Sequence, residues 1–298
     1  MPKARLTGLW HRNAELRGWV LLAPVLALWL TLLGVPLCLL VVQSFWLQSG
    51  LTIDHAPTLR NYALLLSHEG AFYRGLLLKT LFISAAATSV VLTFAFPIAY
   101  YIAFKVRRSR LTWLLLITVP FWISYLLRIF SWKVVLGFGG ALNSGLISLG
   151  LMEQPLDFLL YNQAAVILTL AHSWSAFAVL PIYVSLQRIE PSLLEAAADL
   201  GDTPIKCLRR IVLPLSMSGL LAAFVLVFVP TMGDYITPAL VGGNDGTMVG
   251  SIIATLFGKQ NDAPLGAALS VLTMGTVALF VAVVLAGARV SGLWRPAA

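Results

Sequence analysis

Long apolar runs alternate with short polar segments along most of this chain, at 19–45, 76–104, 111–137, 163–187, 215–241 and 263–288. Roughly 20 apolar residues suffice to cross a bilayer. The pattern therefore predicts six membrane-spanning helices. The first run follows a basic tail over residues 1–18. A secretory signal has an apolar region of about 7–15 residues and a small-residue cleavage site. This run is longer and ends in Gln43-Ser44-Phe45, so it reads as an uncleaved span with Trp19, Phe45 and Trp46 at the interfaces. The segment 137–162 is Gly-rich, then amphipathic, with Glu153, Pro155 and Asp157. It is too interrupted to span and is expected to lie along the membrane surface. The segment 247–262 is a loop with room for a short helix. No repeat of fixed period is visible, and 1–298 reads as a single transmembrane domain.

The segment 188–214 differs in kind. It is polar and carries Lys206, Arg209 and Arg210. Pro191 stands where a helix would start, because a first-turn proline lacks only an N–H that would be unpaired anyway. Gly201 and Pro204 interrupt the pattern, which predicts two short helices with a turn between them, ending at Leu213-Pro214.

Composition agrees with a membrane protein. Charged residues make up 11% and apolar residues 59%, with a mean hydropathy of +0.89; soluble domains carry about 25% charge. The net charge of +8 allows a nucleic-acid surface or a topological bias. The basic residues fall between the apolar runs instead of forming a patch, which favours topology and excludes nucleic acid as a partner. With the N-terminus inside, fourteen of the twenty Lys and Arg lie in inner segments: the two tails, 105–110 and 188–210. Arg60, Arg74, Lys79 and Lys259 are outside, and Arg128 and Lys133 lie in the third span. Both termini and the segment 188–214 are thus expected to be cytoplasmic. Cys38 and Cys207 fall in different environments, so no disulfide is expected.

Several chemistries lack their residues. There is no G-x-x-x-x-G-K-[ST] loop, so any ATP must be bound by another polypeptide. His11, His55, His68 and His172 are scattered, and no metal-ligand spacing occurs. No nucleophile-and-base arrangement suggests an enzyme.

Two places in the spans carry candidate chemistry. Trp122, Tyr125 and Arg128 recur at i+3, and Trp132 follows at i+4, so they share one helix face if the third span is continuous. That face is either an aromatic belt with a snorkelling arginine or a cavity wall where rings hold a cation. Asp234 is the only acid in the fifth span, within Pro230-Thr-Met-Gly-Asp-Tyr235-Ile-Thr-Pro238. An ionisable group there should face protein or water. One reading gives it, with carbonyls freed by Pro230, Gly233 and Pro238, to a protonated amine. Others place it at the wet end of the helix or pair it with Arg128 or Lys133.

The polar segment also carries a resemblance. Glu195-Ala196-Ala197, three residues, Gly201, nine residues, then Ile211-Val-Leu213-Pro214 matches at every position the EAA loop of binding-protein-dependent ABC importer permeases. Pro120-Phe-Trp122 with Arg128, Leu142-Asn143, Pro230 to Tyr235 and Gly242-Gly243 look like the spermidine/putrescine branch. The likeness runs from the second span onward. It implies an all-α type I ABC importer permease fold with six transmembrane helices, in a bacterial inner membrane. It also implies that the EAA loop is a coupling helix, presenting Ala196, Ala197 and Gly201 to a groove of a separate ATPase. The implied partners are a second homologous permease, two ATP-binding subunits that hold ATP–Mg, and an extracytoplasmic substrate-binding protein. Membrane lipid surrounds the whole. The implied cargo is a small organic cation such as putrescine or spermidine, with another small amine or amino-acid derivative as the alternative. Asp234, Tyr235, Trp122, Tyr125, Arg128 and Trp132 would line its path. An ion-coupled secondary transporter, the remaining rival, is expected to show repeats and several intramembrane acids.

Overall fold

The computed structural model describes residues 14–50 and 52–292. The basic residues of the N-terminal tail before 14, and Arg295, lie outside them. In chain order come α1 (Gly18–Gln43), β1 (Leu47–Ser49), β2 (Thr52–Asp54), α2 (Arg60–Leu66) and α3 (Ala71–Phe104). Then follow α4 (Arg110–Thr118), a 3-10 turn (Val119–Trp122), α5 (Tyr125–Leu136), α6 (Ala141–Ser148) and α7 (Gln163–Leu186). The last are α8 (Pro191–Asp199), α9 (Pro204–Met232), a π-helical turn (Pro238–Gly242), α10 (Val249–Phe257) and α11 (Ala263–Val290). β1 and β2 form a small antiparallel hairpin with Leu47 opposite Asp54.

Among the described residues six helical stretches are long and apolar enough to cross a membrane: α1, α3, Tyr125–Ser148, α7, α9 and α11. α1 shows why a bilayer is required. It buries none of its apolar side chains against the protein, and a helix apolar all round is stable only in an apolar medium.

The third and fifth spans depart from the expected pattern. The run 111–137 is not one helix. It breaks at Ile123 and Ser124, whose backbones are extended after the 3-10 turn containing Pro120. Leu114 and Ile117 of α4 pack against the core of Ile102, Ile182 and Val212, while Ile129 and Leu136 of α5 belong to the core of Ile83, Val166 and Val241. α4 and α5 therefore pack against different parts of α3 and α7, with the break between them. Beyond it, α6 is pinned by the buried Asn143. Its amide donates to the carbonyls of Phe138 (3.1 Å) and Leu156 (3.2 Å) and accepts from the Leu156 N–H (2.9 Å).

The second helix of the polar segment does not stop at Leu213-Pro214. α9 starts at Pro204 and continues through Pro214 into the membrane. The wide π turn Leu208–Val212 explains this. A helical proline removes one donor and crowds the carbonyl four residues back; the wider turn makes room for that clash. α9 then ends early, at Met232, so Asp234 lies just outside the helix and not within it.

α3, α7 and α9 form the centre. Ala95 and Ala99 of α3, Ala178 of α7 and Ala223 of α9 are buried where the helices meet. Without water to drive association, membrane helices pack through small residues that let backbones approach. Gly219 is the tightest case: a Cβ there would lie 2.1 Å from Ser185 Oγ and 2.5 Å from the Pro181 carbonyl. At the end of the bundle where α10 lies, the Thr80 hydroxyl accepts the Val249 N–H of that helix at 2.8 Å, tying α10 to α3.

Candidate functional site

The break between α4 and α5 lies against the break after α9. Asp234, 6% exposed, sits in the second. One carboxylate oxygen accepts the N–H groups of Ile236 (2.9 Å) and Thr237 (3.2 Å), capping the short helical turn that follows. The other accepts the Thr237 hydroxyl (2.5 Å) and the hydroxyl of Tyr125, the first residue of α5. A carboxylate offers about four acceptor positions. All four are occupied within the chain.

Arg128 follows Tyr125 by one turn. It is 8% exposed, so it does not snorkel to an interface. Its Nη1 donates to the Ser173 carbonyl (2.8 Å) and its Nη2 to the Ile123 carbonyl (3.1 Å). The Ile123 carbonyl is one that the break deprived of a helical partner, and the arginine supplies it. The guanidinium carbon lies 4.6 Å from the Phe121 ring centroid. The pairing of Asp234 with Arg128 or Lys133, one of the readings open to it, does not form. The ion pair found among the described residues joins Arg210 to Asp202, at 3.4 Å. Lys133 instead lies 6.0 Å from the Tyr161 ring.

Two cavities flank Arg128. One, of about 390 Å³, is walled by Phe121, Tyr125, Trp174 and Phe177 and floored by Arg128 and Ser173. The other, of about 240 Å³, is lined by Pro120, Trp132 and His172. Trp132 donates its indole N–H to His172 Nδ1 at 3.0 Å. His172 is thus held by a hydrogen bond, but it is exposed and not a packed residue. Trp122 is separated from Tyr125 by the break, so the four third-span residues do not form one continuous helix face. Trp122 and Tyr125 line the larger cavity, Trp132 the smaller, and Arg128 both. Tyr235 is exposed beside Asp234 and lines neither. Phe121, Trp174 and Phe177 escaped sequence reasoning. Trp174 and Phe177 sit on α7, whose apolar pattern is uniform, and only their contacts single them out.

The polar segment forms a separate element. α8 docks on the bundle through Leu194 and the buried Ala197. Ala197 therefore faces its own chain, not outward beside Ala196 and Gly201 as expected. Glu195, Ala196 and Gly201 are exposed, and so are the large apolar residues Leu193, Leu200 and Ile205. Ile211, Leu213 and Pro214 lie in α9 and are only partly exposed. Gly201 closes α8. Its N–H reaches the Ala198 carbonyl (2.9 Å) and the Asp202 N–H reaches the Ala197 carbonyl (3.0 Å), with φ +84° at Gly201. This is a Schellman cap, in which the residue after the helix must be left-handed. The glycine of the motif thus has a backbone reason, and a Cβ there would meet nothing within 4 Å.

Residues 95–291 match the family model of the binding-protein-dependent transport system inner membrane component. The chain is 33% identical over 256 residues to the spermidine/putrescine transport system permease protein PotB of Escherichia coli, covering 84% of this chain and 92% of that one. It is 34% identical to PotB of Salmonella typhimurium, with 84% and 88% covered. It is 30% identical over 288 residues to the inner membrane ABC transporter permease protein YdcU of Escherichia coli, with 92% and 90% covered. A crystal structure of a bacterial alginate ABC transporter in complex with alginate pentasaccharide-bound periplasmic protein contains a chain of the same fold. Its TM-score is 0.69 at 17% identity, with 93% of this chain and 96% of that one covered. The chain therefore belongs to the family of binding-protein-dependent transport system inner membrane components, as a multi-pass, non-catalytic subunit of an ABC importer in the bacterial inner membrane, with the type I permease fold.

Proposed function

We propose that this subunit forms half of the translocation pathway for a small organic cation such as putrescine or spermidine. The observation that carries this reading is the identity to PotB over most of both chains. The larger cavity supports it: Tyr125, Trp174 and Phe177 line it and offer cation–π contacts to an ammonium, while Phe121 already faces the Arg128 guanidinium. In this reading Trp122, Trp132 and the exposed Tyr235 belong to the pathway surface. Asp234 is a positioning residue that holds the two helix breaks together through Tyr125.

The subunit pairs with a second, homologous permease, and an extracytoplasmic binding protein delivers the cargo. Two ATP-binding subunits bind and hydrolyse ATP–Mg on the cytoplasmic side, where both termini of this chain also lie. The segment from Glu190 to Pro214 docks there, with Glu195, Ala196 and Gly201 beside the exposed Leu193, Leu200 and Ile205. Exposed apolar side chains on an otherwise polar loop are what a protein partner covers. ATP-driven closure of the ATPases pulls the loops together and opens the cavity to the outside. Uptake of labelled putrescine by cells with and without the gene for this chain tests the reading. Uptake that depends on the chain and is competed by spermidine supports it; unchanged uptake in its absence removes it.

A further inference from the structure

The two loops expected on the cytoplasmic side differ in charge. Segment 188–214 carries Arg188, Lys206, Arg209 and Arg210, and four acids, Glu190, Glu195, Asp199 and Asp202, balance them. The turn between α3 and α4 carries Lys105, Arg107, Arg108 and Arg110, and no acid occurs anywhere between Glu69 and Glu153. Lys105, Arg107 and Arg108 are exposed, and among the described residues none of the four cations makes an ion pair. The turn is nevertheless held in one shape. Val106 is buried at its centre. The N–H groups of Lys105 (2.9 Å) and Val106 (3.2 Å) both reach the Tyr101 carbonyl, and Arg110 donates from Nε to the Val106 carbonyl at 2.6 Å.

Aromatic side chains mark the depth of this turn. Tyr101, four residues before Lys105, and Trp113, three after Arg110, stand edge to face with ring centroids 6.4 Å apart. Both are exposed, as are Leu111, Leu115 and Leu116 of α4. Tyrosine and tryptophan settle at the level of the headgroups. A positive charge excess fixed at that level, with apolar side chains next to it, matches a lipid in both its parts. The phosphate accepts charge-assisted hydrogen bonds from arginine and lysine, and the acyl chains cover the leucines. We propose that the 105–110 turn binds the headgroup of an anionic phospholipid, with Lys105, Arg107 and Arg108 on its phosphate and the Tyr101–Trp113 pair beside its glycerol backbone. This site is independent of which cargo the pathway carries.

The assembled importer, with partner permease and ATPase, is titrated in detergent with phosphatidylglycerol and with phosphatidylcholine, and the bound lipids are counted by native mass spectrometry. The two lipids share a phosphate and differ in net charge. Phosphatidylglycerol should bind at least about tenfold more tightly. Lys105→Gln, Arg107→Gln and Arg108→Gln should each weaken it by about fivefold, and the three together by about a hundredfold. A variant with Arg107→Lys and Arg108→Lys keeps the charge and should bind as the unsubstituted chain does. Lys206→Gln, on the balanced loop, should change nothing. These cations also help to orient the chain, so the single variants, which keep the other three, decide the matter if the triple variant misinserts. Equal affinity for the two lipids, or undiminished phosphatidylglycerol binding in the glutamine variants, overturns the site. Displacement of the lipid by excess inorganic phosphate overturns it in favour of a free anion. Loss of the ATPase from the triple variant with lipid binding unchanged overturns it in favour of an acidic face on that subunit.

Discussion

Tyr125 donates its hydroxyl hydrogen to the Asp234 carboxylate, and this bond joins two helix breaks that lie 109 residues apart in sequence. Tyr125 opens α5 after the break at Ile123 and Ser124; Asp234 follows the end of α9. Each break exposes backbone groups that lipid cannot satisfy. Asp234 takes up the Ile236 and Thr237 N–H groups, and Arg128 takes up the Ile123 carbonyl.

Substitutions at Asp234 separate positioning from cargo contact. Asp234→Leu leaves the N–H groups of Ile236 and Thr237 without an acceptor, and leaves the Tyr125 and Thr237 hydroxyls only each other. Each unpaired N–H costs about 1–3 kcal/mol when buried, and the subunit should be lost from the membrane. Asp234→Asn keeps one carbonyl for the backbone and an amide that donates to both hydroxyls. It should assemble and retain roughly a third or more of wild-type putrescine uptake. Normal assembly with no uptake would show that the carboxylate itself meets the cargo.

Gly201 is required by its backbone, because a left-handed residue with a Cβ costs roughly 1–2 kcal/mol. Gly201→Ala should loosen the α8 cap and reduce co-purification of the ATPase several-fold while the subunit stays inserted. Gly201→Asn should be milder, since asparagine tolerates this conformation. Gly201→Trp, which also adds bulk to an exposed face, should abolish association. Normal co-purification and uptake by the tryptophan variant contradict a docking role.

Gly219 lets α9 lie against α7. Gly219→Val places carbon where Ser185 Oγ and the Pro181 carbonyl already are. Overpacking of this kind costs typically 1–3 kcal/mol or more, and the thermal midpoint of the detergent-solubilised subunit should fall. Ser185→Ala removes one of the clashing groups and should recover part of the loss. An unchanged midpoint in Gly219→Val rules out the tight α7–α9 contact.

The distribution of Lys and Arg predicts the orientation of the chain. In a cysteine-free background, His55→Cys and Gln154→Cys should react with an impermeant thiol reagent added to intact cells, and Lys206→Cys should react only after lysis. Labelling of the Lys206 variant from outside inverts the topology.

The parts of the fold that were legible are those punctuated by residues with one backbone meaning. Pro191 and Gly201 bound α8, and Gly233 and Pro238 flank the break at Asp234. The break at Ile123 and Ser124 has no such mark; Pro120 sits inside the preceding turn and only hints at it. Pro214 looked like a stop and is not one, because the π turn before it makes room for the ring. Charge left Arg128 or Lys133 open as one partner for Asp234, but backbone carbonyls hold Arg128, and backbone N–H groups and two hydroxyls hold Asp234. Only tertiary contact reveals those, as it does the inward turn of Ala197 and the place of Trp174 in the cavity wall.

The central claim is that this chain is the membrane half of an ATP-driven pathway for small amines. The direct measurement is uptake of labelled putrescine into proteoliposomes containing this subunit, its partner permease and the ATPase, with the binding protein and ATP–Mg on their respective sides. The account predicts accumulation that needs ATP, the binding protein and this chain together, and that persists without any ion gradient. Accumulation driven by a proton or sodium gradient in the absence of ATP and the ATPase would contradict it.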